Sequence, residues 1–218
     1  MNQLTIAEAS VLLDDGTLVI DTRPSSLFLQ GFIPGAIHIP LSDRFKEYAE
    51  LTLDPEYSAI IVAEKGQEEK ACRDLAKTGV VTIAGYLDGG YDAWLAAGGA
   101  SDLIIDIDAE EFGIDYKFDE FYLIDTRSDD EYESEHIEYA ENIPLSEIEE
   151  TAPSLNAADS YYIYGSSIED AAFAASLFRR SDFFKIRVVT VGYDDLKATE
   201  IPIVKKKKAK NDSKFSDN

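Results

Sequence analysis

Cysteine is almost absent from this 218-residue chain: Cys72 is the only one, so no disulfide can form within it. Nothing therefore points to an oxidising compartment. Histidine is nearly as scarce, and His38 and His136 alone cannot supply a His-rich metal centre. Basic residues number 20 against 43 acidic ones, a formal net charge of −23. The deficit is deeper in the body, because six lysines and two aspartates fall within 205–218. Positions 1–204 hold 14 basic and 41 acidic residues, a net −27. A body of that sign repels nucleic acid and anionic membranes. No apolar run approaches the roughly 18 residues of a membrane span, and Met1-Asn2-Gln3-Leu4-Thr5 lacks the basic start of a signal peptide. A cytoplasmic location is the expectation.

Other signatures are missing too. There is no Gly-x-x-x-x-Gly-Lys-Ser/Thr phosphate loop, and Asp129-Asp130-Glu131 and Glu147-Glu149-Glu150 lack calcium-loop spacing. They read as solvated faces. No metal and no cofactor is expected.

What is present is a duplication. Leu18-Val19-Ile20-Asp21-Thr22-Arg23 returns 104 residues later as Tyr122-Leu123-Ile124-Asp125-Thr126-Arg127. Gly35-Ala36-Ile37-His38-Ile39-Pro40-Leu41-Ser42 is then answered by Tyr139-Ala140-Glu141-Asn142-Ile143-Pro144-Leu145-Ser146. This period exceeds the roughly 20–50 residues of a solenoid unit and matches a small domain. Two domains are predicted, 1–99 and 103–204, joined near 98–102 and followed by a basic solvated tail at 205–218.

Short apolar runs at 18–20, 59–63 and 80–83 have the character of strands covered on both faces. Helical stretches at 25–30, 45–50, 68–78 and 91–97 alternate with them. Ala71, Cys72, Leu75 and Ala76 share one face of the 68–78 helix, and Gly79 stops it. The second copy repeats the order with strands at 122–124, 161–164 and 186–191 and a helix at 169–179. The fold class is α/β, each copy a mostly parallel central sheet flanked by helices.

These residues resemble two rhodanese-like domains in tandem. The resemblance covers residues 4–204 and rests on three features. They are the Asp-x-Arg after the first strand, the phrase Gly31-Phe32-Ile33-Pro34-Gly35-Ala36-Ile37-His38-Ile39-Pro40, and the closing phrase Gly85-Tyr86-Leu87-Asp88-Gly89-Gly90-Tyr91-Asp92-Ala93-Trp94. The second copy is more worn: it keeps His136-Ile137 but only Val191-Gly192-Tyr193 of the closing phrase. The stretch from Gly66-Gln67-Glu68-Glu69 to Trp94 is also similar to the rhodanese segment of metallo-β-lactamase/rhodanese fusion proteins related to persulfide dioxygenases. The His-x-His-x-Asp-His metal motif of such proteins is missing here.

The resemblance implies a nucleophile position. Rhodanese-like sulfurtransferases carry sulfur on the cysteine of a Cys-x-x-Gly-x-Arg loop, where backbone N–H groups and a helix N-terminus favour a thiolate or persulfide. The first copy reads Ala63-Glu64-Lys65-Gly66-Gln67-Glu68 there, and the second Gly165-Ser166-Ser167-Ile168-Glu169-Asp170. Ala63 and Gly165 thus hold the nucleophile slots, and Glu68 and Asp170 the arginine slots. These twelve residues are the candidate ligand-binding loops. Their carboxylates either cap the following helices or retune the loops for a cationic or neutral ligand. Ser166 and Ser167 lack the positioned base that a serine nucleophile needs. Cys72 reads as a small buried hydrophobe on its helix face, with a redox or sulfur-carrying thiol as the alternative.

The sequence therefore predicts a tandem rhodanese-like protein without sulfurtransferase activity of its own, acting as a binding, scaffolding or regulatory module with a protein partner, near sulfur metabolism. The alternative is an active sulfurtransferase or persulfide carrier that uses Cys72 or a partner's cysteine. An interdomain cleft is the expected binding site.

Overall fold

A computed structural model of the chain describes residues 2–206. The first half runs β1 (Gln3–Leu4), α1 (Ile6–Asp14), β2 (Leu18–Asp21), α2 (Ser25–Gln30), β3 (Ile37–His38), α3 (Phe45–Thr52), β4 (Ser58–Val62), α4 (Glu68–Thr78), β5 (Thr82–Leu87) and α5 (Gly90–Ala96). The second runs β6 (Ile105–Ile107), α6 (Ala109–Phe118), β7 (Tyr122–Asp125), α7 (Asp129–Ser134), β8 (Glu135–Ile137), β9 (Ala140–Asn142), α8 (Ile148–Thr151), β10 (Tyr161–Tyr164), α9 (Ile168–Arg180), β11 (Ile186–Val189), α10 (Tyr193–Lys197) and β12 (Ile203–Lys205).

Each half holds a five-stranded sheet, in the order β1-β5-β4-β2-β3 and β6-β11-β10-β7-β9. Every ladder in both is parallel. The two orders coincide strand for strand, as the duplicated sequence requires. Parallel strands need crossover helices, which cover the faces and explain the apolar runs of β2, β4 and β10. One expected strand lies later than predicted. Gly79 ends α4 in a left-handed conformation (φ +69), and two further residues complete the turn before β5 begins at Thr82. Val80 and Val81 are apolar turn residues.

The three tyrosines of β10 alternate across the second sheet, as period-two geometry demands. Each buries its ring and satisfies its hydroxyl. Tyr161 donates to the Asn156 carbonyl at 3.1 Å, Tyr162 to Asp115 at 2.8 Å and Tyr164 to Asp125 at 2.5 Å.

Helix α9 explains how the halves join. Ser167 caps it by accepting from the Asp170 N–H at 3.3 Å, and every residue from Asp170 to Phe178 is buried. A helix apolar all round belongs in a core. Its small residues Ala171, Ala172, Ala174, Ala175 and Ser176 let α2 and β3 of the first half approach its free side. Ser176 accepts from the His38 backbone N–H at 3.1 Å, and one hydrophobic cluster runs through both halves.

The connection at 98–102 is pinned rather than slack. Trp94 Nε1 donates to the Ala100 carbonyl at 2.7 Å, Tyr91 and Ser101 share a 2.5 Å hydrogen bond, and Asp102 forms an antiparallel bridge with Phe32 and an ion pair with Arg179. In the second half β12 plays the corresponding part by pairing antiparallel with β8. Lys205 therefore lies in a strand, and the Lys206 N–H donates to the Ser134 carbonyl, although both fall in the expected tail. The rest of that tail, 207–218, lies outside the described residues. Among the described residues no helix is long and apolar enough to cross a membrane.

Candidate functional site

Parallel α/β sheets place their sites beyond the carboxyl ends of the strands. In both halves that end is organised by the repeated Asp-Thr-Arg. Arg23 donates from Nε and Nη2 to Asp21 at 2.9 and 2.5 Å, and from Nη2 to the Gly31 carbonyl at 2.7 Å. Arg127 does the same toward Asp125 at 3.0 and 2.6 Å and toward the Glu135 carbonyl at 2.9 Å. Thr22 and Thr126 donate to the carbonyls of Val62 and Tyr164, each at 3.0 Å. Tyr91 covers the Arg23 guanidinium with its ring at 4.3 Å, and Tyr193 covers that of Arg127 at 3.4 Å. All four charged side chains are buried and mutually satisfied. The motif is a structural clamp that fixes the strand end beside each loop.

The loops themselves differ. In the first half five residues, 63–67, separate β4 from α4. Ala63 is buried, Gly66 adopts φ +88 with open space around it, and Glu64 and Lys65 are exposed. Glu68 opens α4 and turns its carboxylate back to accept the Gly66 N–H at 2.7 Å. The residue in the arginine slot thus supplies the anion for the loop's own backbone donor.

In the second half three residues, 165–167, connect β10 to α9. Ile168, Glu169 and Asp170 already form the first turn of the helix, so only Gly165, Ser166 and Ser167 are loop. A Cβ at Gly165 would stand 2.6 Å from Thr126 Oγ1 and 2.7 Å from the Asp170 Cβ, leaving no room for a side chain. Asp170 is buried and ion-paired with Arg44 of the first half, and Tyr48 donates to it at 2.9 Å. Burial and the Asp170 charge together raise the Tyr48 hydroxyl well above the ordinary tyrosine value. Arg44 also holds Glu47, whose carboxyl it keeps below the usual range. The cation facing Asp170 therefore comes from the other copy of the fold, a partner that sequence spacing gave no reason to suspect.

Each loop borders a cavity that the other half helps to close. Glu64, Gln67 and Lys70 share a space of about 300 Å³ with Thr22, Pro40 and Glu169 of α9. Ser166 and Asp170 share about 250 Å³ with Arg44, Glu47, Arg127 and Ser146. A larger space of about 580 Å³ lies at the opposite end of the second sheet, beside Tyr116, Tyr122 and Tyr139. Cys72 is fully buried on α4 with Ala71 and Leu75, and burial pushes its thiol up. Ser166 and Ser167 have no histidine partner, because His136 bonds to the Tyr132 carbonyl and stacks on the Tyr132 ring. Among the described residues no three His, Cys, Asp or Glu side chains are grouped to hold a metal ion.

Duplicated parallel sheets, a buried Asp-Thr-Arg clamp and a strand–loop–helix at each carboxyl end define a tandem α/β protein built from one repeated unit. The chain belongs to the rhodanese-like domain family, whose model matches residues 5–97 and again 109–199. No match is found among the curated proteins. Among solved structures, the Alr3790 protein from Anabaena sp. is 24% identical over 45% of this chain and 91% of its own, with a TM-score of 0.43. Thiosulfate sulfurtransferase from Pseudomonas aeruginosa is 16% identical over 94% of this chain but only 44% of its own, with a TM-score of 0.41. The BH2092 protein from Bacillus halodurans is 20% identical over 53% of this chain and 84% of its own, with a TM-score of 0.43.

Proposed function

We propose that this chain is a catalytically inactive tandem rhodanese-like protein, with functional units at 1–99 and 103–204, that acts as a binding, scaffolding or regulatory module. The carrying observation is the chemistry of the two nucleophile slots, Ala63 and Gly165, neither of which can form a persulfide. The packing around Gly165 and the fully buried Cys72 support the same reading. So do the carboxylates at 68 and 170: one occupies the loop's backbone donor, the other a guanidinium, and both disfavour an incoming anion such as thiosulfate.

Binding is then assigned to the interdomain cleft, where Glu169 reaches the first loop and Arg44 the second. The partner is a protein; the acid-rich body disfavours nucleic acid and anionic membranes, and the lone cysteine suits a cytoplasmic setting. The link to sulfur metabolism rests on the resemblance to the fusion-protein segments. The test is a thiosulfate:cyanide sulfurtransferase assay on the full chain. Thiocyanate formation at the rate of a no-protein control is expected. Formation above that rate that disappears in Cys72→Ser would replace this reading with a working sulfurtransferase.

A further inference from the structure

The end of the second sheet farthest from the second loop carries aromatic surface that the fold leaves exposed. The space of about 580 Å³ beside Tyr116, Tyr122 and Tyr139 shares Asp119, Glu120, Ser160 and Lys185 with another of about 480 Å³, bounded by Ile105 and Phe184. The two adjoin across the strand ends as one groove. Tyr122 is 55% exposed, Phe184 66% and Tyr139 84%. Tyr122 is held in place by stacking on the buried Tyr161, with ring centroids 5.5 Å apart.

Tyr139 stands at the groove at a conformational cost. Its φ is +67, and the duplicated sequence puts it where the first copy has Gly35, at φ +80. Glycine adopts this left-handed backbone freely, whereas a bulky L side chain is strained by it. A ring this exposed buries too little to offset the strain, so its use lies outside the fold.

Charge selects the occupant. Asp119, Glu120 and Asp159 line the groove and have no ion pair among the described residues. The neighbouring cations are engaged elsewhere: Lys117 with Glu200, Arg187 with Asp115, and Lys185 with the Ala158 carbonyl. Free carboxylates among exposed aromatic rings suit a guanidinium group, which forks onto carboxylates and stacks flat on rings. The strongly hydrated lysine ammonium fits less well. A second copy of this chain is disfavoured as occupant, because each carries a net −23.

We propose that this groove docks an arginine-bearing segment of another protein, its guanidinium groups lying over Tyr122 and Tyr139 and against Asp119 and Glu120. The second half builds the surface alone, separate from the interdomain cleft, so the inference stands whether or not that cleft binds anything or the chain transfers sulfur.

Titration of the isotope-labelled full chain with a peptide of four Arg-Ser repeats, followed by amide NMR at physiological ionic strength, tests it. Shifts should concentrate on Asp119, Tyr122, Tyr139, Ser160 and Phe184. Tyr139→Gly removes the ring and relieves the left-handed strain. That variant should stay folded and bind about two- to fivefold more weakly, the size of an exposed cation–π contact. Asp119→Asn/Glu120→Gln should weaken binding ~2–10-fold, as for two exposed charge partners. A peptide of four Lys-Ser repeats should bind less tightly than its arginine counterpart. Shifts spread evenly over the acidic surface or centred on the interdomain cleft would overturn the proposal. So would unchanged affinity in Tyr139→Gly, or equal affinity for the lysine peptide. Free arginine binding as tightly as the peptide would overturn protein docking in favour of a small guanidinium ligand.

Discussion

The two copies agree where the chain must fold and part where it would have to react. The arginines of Asp21-Thr22-Arg23 and Asp125-Thr126-Arg127 make matching hydrogen bonds to within about 0.2 Å, and a tyrosine ring lies over each guanidinium, while Tyr164 adds one further bond to Asp125. The strand–loop–helix segments a few ångströms away share neither length nor chemistry. One is a five-residue loop around a left-handed glycine with its own carboxylate folded in. The other is a three-residue loop whose acid has been captured by the opposite copy. A buried ion pair resists change, because losing either partner strands a charge in the core. The exposed loop residues carry no such restraint, and it is there that the two copies differ in length and chemistry.

The sharpest way to test the shared part is Arg23→Leu against Arg127→Leu. Each removes the guanidinium from a fully buried aspartate, with an expected loss of ~3–5 kcal/mol, smaller in the second copy, where Tyr164 still donates to Asp125. Urea denaturation would show it. Equal losses would mean that the Tyr164 hydroxyl contributes nothing to holding the Asp125 carboxylate.

Smaller effects separate the loops. Gly165→Ala forces a methyl against Thr126 and Asp170 and should cost ~1–3 kcal/mol by overpacking. Gly66→Ala meets nothing within 4 Å and bears only left-handed strain, ~1–2 kcal/mol. Asp170→Ala releases Arg44 and strands the Tyr48 hydroxyl, at ~1–3 kcal/mol, whereas Glu68→Ala removes one exposed hydrogen bond worth ~0.5–1 kcal/mol. Matching losses for the two acids would dissolve the distinction between a capping and an interdomain carboxylate.

A separate contrast concerns pH. His38 in β3 stands where the second copy has Asn142 in β9. Burial, with the Arg23 charge nearby, lowers His38 to about 3. The folded state therefore holds the imidazole neutral while the unfolded chain binds a proton below about 6.5. Stability from this group is complete above about 6.5 and declines as pH falls toward 3. His38→Asn should flatten the pH dependence of stability across that window, measured by urea midpoints. An unchanged slope would assign the acid sensitivity to carboxylates instead.

Much of this was legible in the sequence, and the rest was hidden for identifiable reasons. The duplicated Asp-Thr-Arg gave the period, and the apolar runs gave the parallel sheets. α2, α4 and β10 fall where their patterns place them, because punctuation by Pro24 and Gly79 is strong. The two-residue strands β1 and β3 are too short to show any alternation. Ser167 looked like loop, but as an N-cap it starts α9 at Ile168 and shortens the second loop. The site residues missed were Arg44 and Tyr48, separated from Asp170 by 126 and 122 positions. No local pattern reveals such a pair; the only trace was an acid where the family places an arginine.

The central claim is that the scaffold survived and the sulfur chemistry did not. Intact-mass analysis of the full chain after incubation with excess thiosulfate tests it most directly. A single species at the unmodified mass is predicted, with Cys72 becoming alkylatable only after denaturation. A species heavier by one sulfur atom, mapped to Cys72 and discharged by cyanide, would contradict the account.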